Sequence, residues 1–282
     1  MSRQAIKTSL PVRNDYAVKI SDIIISNLKD KLGIRCCTLG STGKKPDNEY
    51  SGDIDICIEY PYNKINTDII ISHINELYNN PEIYISSGFK IISFGYIYNY
   101  ENIEDRIVQV DLMFSNDIVY SKFMYHSPNY KNNESKFKGL YRTNLLTFIA
   151  GRTPTGIDNI YNENNELTDY WKYTLTYDNG LKLTHKSYKG KKKLLKNPYT
   201  VKEDTKVISM DVNYIIKFIL GDNATIKDTN SFESLLNYLY SDNYPYKDSI
   251  PDIINDFITD KRHDNDDILN YIKVFNKNYL NK

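Results

Sequence analysis

The 282-residue sequence has few of the residues that mark secreted or zinc-binding proteins. It contains three cysteines and four histidines. Three cysteines do not make a disulfide framework, and the histidines lack metal-ligand spacing, so both a disulfide-stapled domain and a zinc site are disfavoured. Cys36, Cys37 and Cys57 lie in apolar, strand-like runs. We interpret them as reduced core residues, as expected for a cytoplasmic protein.

Long apolar runs and an excess of one charge are also missing. No stretch approaches the roughly 18 consecutive apolar residues of a membrane span, and the N-terminus lacks the apolar core of a signal peptide, so no membrane partner is expected. Lysine and arginine number 36, as do aspartate and glutamate, which leaves a formal net charge of zero. Any contact with nucleic acid must therefore use a local basic patch.

Tyrosine, asparagine, isoleucine and lysine are abundant, with 26 tyrosines alone. This bias is typical of an A/T-rich coding genome, such as that of a virus, a phage or a low-GC bacterium. It is not a binding signal. Tyr84, Tyr96 and Tyr98 could stack on a base, but they carry little weight in so tyrosine-rich a chain.

Hydrophobic periodicity predicts an α+β protein with two domains, 1–151 and 152–282. In the first domain we expect strands and flanking helices. In the second we expect mainly helices and one β-hairpin, with Asn179-Gly180 at its turn. The predicted helices of the first domain are 14–32 (with Asn14 or Asp15 as its N-cap), 67–79, 116–125 and 135–150, and its strands are 34–39, 53–59, 89–98 and 106–114. The predicted helices of the second are 211–220, 230–240, 250–260 and 265–279.

Two aspartates share one face of a predicted strand. Asp53-Ile-Asp-Ile-Cys-Ile-Glu59 alternates acidic or polar with apolar residues, so Asp53 and Asp55 point the same way. Paired carboxylates at this spacing can hold one or two Mg²⁺ ions, which nucleotidyl transfer needs. By itself the motif is weak, because strands often carry acids on a solvated face.

A glycine loop precedes this strand. Leu39-Gly40-Ser41 ends the strand before it. Gly40 lets the backbone approach a phosphate closely, and Ser41 can donate hydrogen bonds to it. Lys44 and Lys45, just beyond, can add positive charge. An ordinary turn would use the same residue types.

A third acid, Asp111, interrupts the apolar run Val108-Gln-Val-Asp-Leu-Met-Phe114. An unpaired buried carboxylate is costly. Asp111 is tolerable if it shares a face with Asp53 and Asp55 and a metal neutralises all three. Alternatively, it lies at a strand edge, paired with a lysine or arginine.

Together these segments resemble the DNA polymerase beta superfamily of nucleotidyltransferases. The pattern is apolar-Gly-Gly/Ser, nine to thirteen residues, Asp-apolar-Asp/Glu, then a later acid between apolar residues. Here it is carried by Leu39-Gly40-Ser41, Asp53-Ile54-Asp55 and Val110-Asp111-Leu112. The match covers about residues 34–114, and it implies a mixed, mostly antiparallel sheet with flanking helices in the first domain.

The resemblance implies a magnesium-dependent transfer of a nucleoside monophosphate from a triphosphate such as ATP to a hydroxyl. It implies two Mg²⁺ ions (Mn²⁺ is an alternative), held by Asp53, Asp55 and Asp111, with Asp111 helping to deprotonate the acceptor. Gly40, Ser41 and Lys44 would contact the triphosphate. The acceptor stays open among an RNA or tRNA 3′ end, a small molecule and a protein, and the C-terminal domain would choose it.

Basic residues follow the third acid. Lys138 and Arg142 would share a helix face, and superfamily members often reach the triphosphate from this region. The segment around Ser127-Pro128 and Ser135-Lys-Phe-Lys138-Gly139 also resembles stand-alone phage-encoded members. A solvated basic helix face is the competing interpretation.

Two other functions compete with nucleotidyl transfer. The chain could be a non-catalytic nucleotide-binding or virion-associated protein on the same fold, or a metal-dependent phosphodiesterase using the same acids. The run Lys189-Gly-Lys-Lys-Lys193 could contact RNA phosphates or be a solvated loop. We expect Trp171 to be a core residue, and we assign no catalytic role to the four histidines: His73, His126, His185 and His263.

Overall fold

In the computed structural model of this protein, the residues described are 5–59, 67–86, 90–100, 103–165, 167–191, 199–260 and 266–280. By its internal contacts the chain divides into two compact units, Met1–Gly139 and Leu140–Lys282. The sequence interpretation had placed this boundary after residue 151. We describe each unit by itself.

The first unit contains a five-stranded sheet, helices and a separate two-stranded ribbon. The ribbon is formed by β1 and β3. The strands are β1 Val12–Arg13, β2 Arg35–Thr38, β3 Tyr50–Ser51, β4 Asp53–Glu59, β5 Ile83–Ile85, β6 Ile91–Tyr100 and β7 Ile103–Ser115, and the helices are α1 Asn14–Leu32, α2 Thr67–Tyr78 and α3 Ile118–Met124.

The strands of the main sheet lie in the order β2-β4-β7-β6-β5. Only the central pair, β4 and β7, is parallel, and the other neighbours are antiparallel. The expected α+β class, with a mixed and mostly antiparallel sheet, is therefore confirmed. The parallel pair places the two acid-bearing strands side by side at the centre of the sheet.

Alternation along β4 separates core from site. Ile54, Ile56 and Ile58 are fully buried and belong to the main hydrophobic core, together with apolar residues of α1 and α2. Asp53 and Asp55 therefore lie on the opposite face, as predicted. Two faces of one strand thus give the unit its core and its chemistry.

Helix α1 has the predicted bounds, and Gly33 ends it in the left-handed conformation at φ 64°. Asn14 was expected to cap the helix, but no side chain caps it, and the N-cap residue is Arg13. The Asn14 side chain instead bonds to the glycine loop.

The second unit contains a four-stranded antiparallel sheet and helices. The sheet has the order β11-β10-β9-β8. The strands are β8 Ile160–Tyr161, β9 Leu167–Thr176, β10 Gly180–Lys191 and β11 Tyr199–Ser209, and the helices are α4 Gly139–Arg152, which begins at the boundary, α5 Val212–Leu220, α6 Phe232–Tyr240, α7 Ile250–Thr259 and α8 Asp266–Leu280.

The predicted hairpin exists as β9 and β10, and Gly180 adopts φ 73° at its turn. The sheet is larger than expected, because β11 pairs along almost all of β10. Trp171 was predicted to be core but is only partly buried. Its ring stacks on His185, with centroids 4.5 Å apart.

The lysine-rich run 189–193 is only partly included in the described residues. Residues 192 and 193 lie outside the described part of the chain, as does His263, and the side chains of 189–191 are not described. Within the described residues, none of the helices combines the length and the apolar character that a membrane crossing would require.

Candidate functional site

Asp53, Asp55 and Asp111 converge on one face of the sheet. In the parallel register of β4 and β7, Asp55 lies opposite Asp111. One carboxylate oxygen of each residue lies within 4.8 Å of the others. The cluster fits a divalent cation, because three carboxylates so close together favour a cation among them and carboxylate oxygens are the preferred ligands of Mg²⁺.

Ionisation of Asp55 and Asp111 is unfavourable in this cluster. Burial, followed by the charges of Asp53 and Asp111, raises the pKa of Asp55 to about 8. Burial also raises the pKa of Asp111, against hydrogen bonds from Ser93 and Gln109 that lower it. Neutralisation at Asp55 must therefore come from a proton or from a cation near pH 7.

Gly40 lies against the cluster. It adopts φ 61°, and a β-carbon added there would lie 2.8 Å from Asp55 Oδ2. Both the backbone conformation and the close approach favour glycine. The Gly40 N–H donates to the carbonyl oxygen of Tyr125. Ser41, the next residue, is partly exposed.

Asn14 anchors the glycine loop. Its side chain is fully buried. Oδ1 accepts from the Gly43 N–H at 2.9 Å, and Nδ2 donates to the Lys45 carbonyl oxygen at 2.7 Å. One amide thus holds both ends of the segment between Gly43 and Lys45. Sequence analysis assigned Asn14 only to helix capping.

The two lysines after the loop differ in their contacts. Lys44 Nζ donates to the carbonyl oxygen of Ser127, so this ammonium ties the loop to a neighbouring segment. Lys45 lies within electrostatic range of Asp53 and of Lys138, and burial lowers its pKa, as does the Lys138 charge. Lys45 thus lies close enough to the acidic cluster to interact with it electrostatically.

Lys138 and Arg142 do not share a helix face, contrary to the prediction. Helix α4 begins at Gly139, where a β-carbon would collide with the His126 carbonyl oxygen. Lys138 therefore precedes the helix and is exposed. Arg142 is 1% exposed, and its Nε donates to the Thr229 carbonyl oxygen at 2.6 Å. Because its guanidinium is buried within the second unit, we do not expect Arg142 to contact a nucleotide.

A cavity of about 320 Å³ adjoins the glycine loop. Its lining includes Gly40, Thr42, Lys44, Lys122 and His126. Lysine, histidine and hydroxyl groups suit an anion such as a phosphate. The sequence analysis gave His126 no role and did not identify Lys122, because neither belongs to a motif and only the fold brings α3 to the loop.

Comparison with known proteins gives little beyond the fold. No family model matches the chain, and no curated protein does. Among solved structures, DNA polymerase beta from Leishmania infantum is similar in its ternary P/T and ternary gap complexes, each at 13% identity and over 49% of this chain. The TM-scores are 0.34 and 0.35, and the match spans 54% and 47% of those chains. The chain thus spans about half of these structures, and similarity at this level does not assign it to a family.

Proposed function

We propose that this protein is a metal-dependent nucleotidyltransferase that moves a nucleoside monophosphate from a nucleoside triphosphate to a hydroxyl group. The observation that carries the proposal is the cluster of Asp53, Asp55 and Asp111, whose oxygens lie within 4.8 Å of one another. The glycine loop lies directly against it, at Gly40. Acids and phosphate loop therefore share one site.

In this proposal Asp53, Asp55 and Asp111 hold the metal, with Mg²⁺ as the expected ion. When bound, the metal neutralises the triphosphate and the pyrophosphate that leaves. The acceptor oxygen forms a bond to the α-phosphorus, and the bond from that phosphorus to the oxygen of the β-phosphate breaks. The proton of the acceptor hydroxyl passes to a carboxylate oxygen of Asp111.

The cations near the cluster would bind the phosphates. Lys45 and Lys138 lie in electrostatic range of each other, and Lys45 also of Asp53. The hydroxyl and N–H of Ser41 adjoin Gly40 in the loop. Lys44 supports the loop through its bond to Ser127. An RNA acceptor, a small-molecule acceptor and a protein acceptor all remain compatible with this arrangement.

The proposal is tested by incubating the purified protein with Mg²⁺, each α-labelled nucleoside triphosphate in turn, and total RNA, protein or small-molecule pools. We expect label on one pool, with pyrophosphate released in equal amount. Asp53→Asn should abolish transfer, because a metal ligand is lost while the core stays intact.

The matched control is Glu59→Gln. Glu59 lies on the same strand face as Asp53, but it pairs with Arg35 and is not part of the acidic cluster. This variant should keep its activity. Near-full transfer by Asp53→Asn would refute the metal assignment. Absence of transfer to every pool, with triphosphate still bound, would favour a non-catalytic nucleotide-binding protein.

A further inference from the structure

The N-terminal segment of the first unit contacts the acidic face of the sheet. Ile6 is fully buried, and the Leu10 N–H donates to the Ile107 carbonyl oxygen at 2.8 Å. Gly95, opposite Gln109 on β6, faces this segment, since a β-carbon there would lie 3.0 Å from Ile107 Cγ2 and 3.4 Å from Ile6 Cγ2. The segment therefore reaches the side chain of Gln109.

Gln109 connects this segment to Asp111. Its Oε1 accepts hydrogen bonds from the backbone N–H groups of Ala5 at 2.8 Å and Ile6 at 3.0 Å. Because both partners are donors, the amide has only one satisfactory orientation. Its Nε2 then faces Asp111 and donates to Oδ1 at 2.9 Å and to Oδ2 at 3.1 Å.

These bonds restrict rotation of the third carboxylate. Gln109 and Asp111 are 3% and 6% exposed, so water has little access to replace the amide. A carboxylate offers about four lone-pair sites, and the bonds from Gln109 leave others for a cation. The amide thus orients Asp111 without occupying all of its acceptor capacity.

We propose that Gln109 is the positioning residue of the metal site, held by the N-terminal segment through the amides of Ala5 and Ile6. This inference rests on the proposed function, because it assumes that Asp111 is a metal ligand. It adds that residues 5 and 6, far from the acids in sequence, help to set the metal affinity of the protein.

The first test measures the affinity of the full chain for Mn²⁺ in the absence of nucleotide. The concentration of free Mn²⁺ is monitored by electron paramagnetic resonance. Loss of a side chain that orients a metal ligand typically weakens binding by about tenfold to a hundredfold. We expect a loss in this range for Gln109→Met, which preserves volume but removes the amide. Met113→Leu should bind as wild type does, since Met113 lies on the same strand face without bonding Asp111.

The outcomes separate the two proposals. If wild type does not bind Mn²⁺, the metal assignment and this inference fail together. If wild type binds and Asp111→Asn is weakened while Gln109→Met is unchanged, the metal site stands and the role of Gln109 is refuted.

A second measurement needs no folded Gln109 variant. Because coupling between two sites is reciprocal, a metal that favours the oriented Asp111 also favours the bonds from Gln109 to the segment. Mg²⁺ should therefore slow hydrogen exchange at the Ala5 and Ile6 amides in wild type and not in Asp111→Asn. Equal exchange with and without Mg²⁺, under conditions where Mg²⁺ is bound, would overturn the coupling.

Discussion

Asp55 stands between two other carboxylates, and this position gives the metal-free protein a distinctive pH dependence. Its pKa is raised from 3.8 to about 8 by burial and by the charges of Asp53 and Asp111. Between these values the folded protein holds a proton that the unfolded chain releases. Stability must therefore fall as pH rises through this window.

We expect the melting temperature in EDTA to decrease from pH 5 to pH 8, and Mg²⁺ to reduce the decrease by replacing the proton. Asp55→Asn should flatten the profile, because the group that titrates is gone. Thermal melts across this range check the expectation. A variant with the wild-type slope would show that another group causes the pH dependence.

Asn14 offers a way to loosen the glycine loop without touching the acids. Asn14→Ala removes the acceptor for Gly43 N–H and the donor to the Lys45 carbonyl oxygen. Leaving buried polar groups without partners costs about 1–3 kcal/mol. We therefore expect a modest loss of stability and weaker binding of the triphosphate, measured as a higher KM.

The binding of Mn²⁺ should be unchanged in Asn14→Ala, because the carboxylates are untouched. Asn14→Asp tests the donor separately: it keeps the acceptor for Gly43, but it places a carboxylate oxygen against the Lys45 carbonyl oxygen and adds a buried charge. Its KM should be at least as high as that of Asn14→Ala. If both variants keep the wild-type KM while melting earlier, Asn14 serves the fold alone.

Which site residues the sequence could predict depended on local pattern. Asp53, Asp55 and Gly40 follow from alternation and from a short loop motif, both readable within a few positions. Asn14 and Gln109 act through partners 29 to 104 residues away, so no local pattern identifies them. Arg142 was predicted as a ligand from its spacing to Lys138, but it is buried against Thr229.

At the scale of elements, the sequence did not predict strand β11, because its residues lack the alternating pattern of a strand. β11 contains Lys202-Glu-Asp-Thr-Lys206, which has no apolar alternation, yet it pairs along β10. Its pairing comes from backbone bonds to a neighbour, which the residue pattern does not encode. Helix α1 and strand β4 were predicted closely, because each buries one regular apolar face.

The turn between β9 and β10 depends on a single glycine, Gly180. Gly180 adopts φ 73°, and a β-carbon would lie 2.1 Å from the Ser209 carbonyl oxygen on β11. Gly180→Ala should therefore combine backbone strain of about 1–3 kcal/mol with a clash that separates β10 from β11. We expect a clear drop in the free energy of unfolding, measured in urea.

Gly156→Ala is the control for this change. Gly156 has nearly the same φ, 69°, with nothing within 4 Å of an added β-carbon. It should lose the backbone contribution alone. Equal losses for the two variants would mean that β11 moves to accommodate the methyl group at little cost.

For the whole molecule, the balance of charge and the division into two units bear on how catalysis and acceptor choice are shared. The chain has a formal net charge of zero, so general attraction cannot deliver an anionic acceptor. All the acids and lysines proposed for the site lie in the unit Met1–Gly139. The sequence analysis expected the C-terminal domain, residues 152–282, to choose the acceptor, and this stays a prediction.

This division leads to an expectation for a fragment that ends at Gly139, the boundary of the first unit. If it folds, as circular dichroism would show, it should bind Mn²⁺ as tightly as the full chain, because the three carboxylates and Gln109 are all present. It should not transfer label to the acceptor of the full chain, because the part of the chain predicted to choose the acceptor is missing. A folded fragment that binds no Mn²⁺ would mean that the second unit contributes to the metal site. A fragment that still transfers to the same acceptor would place acceptor choice beside the carboxylates instead.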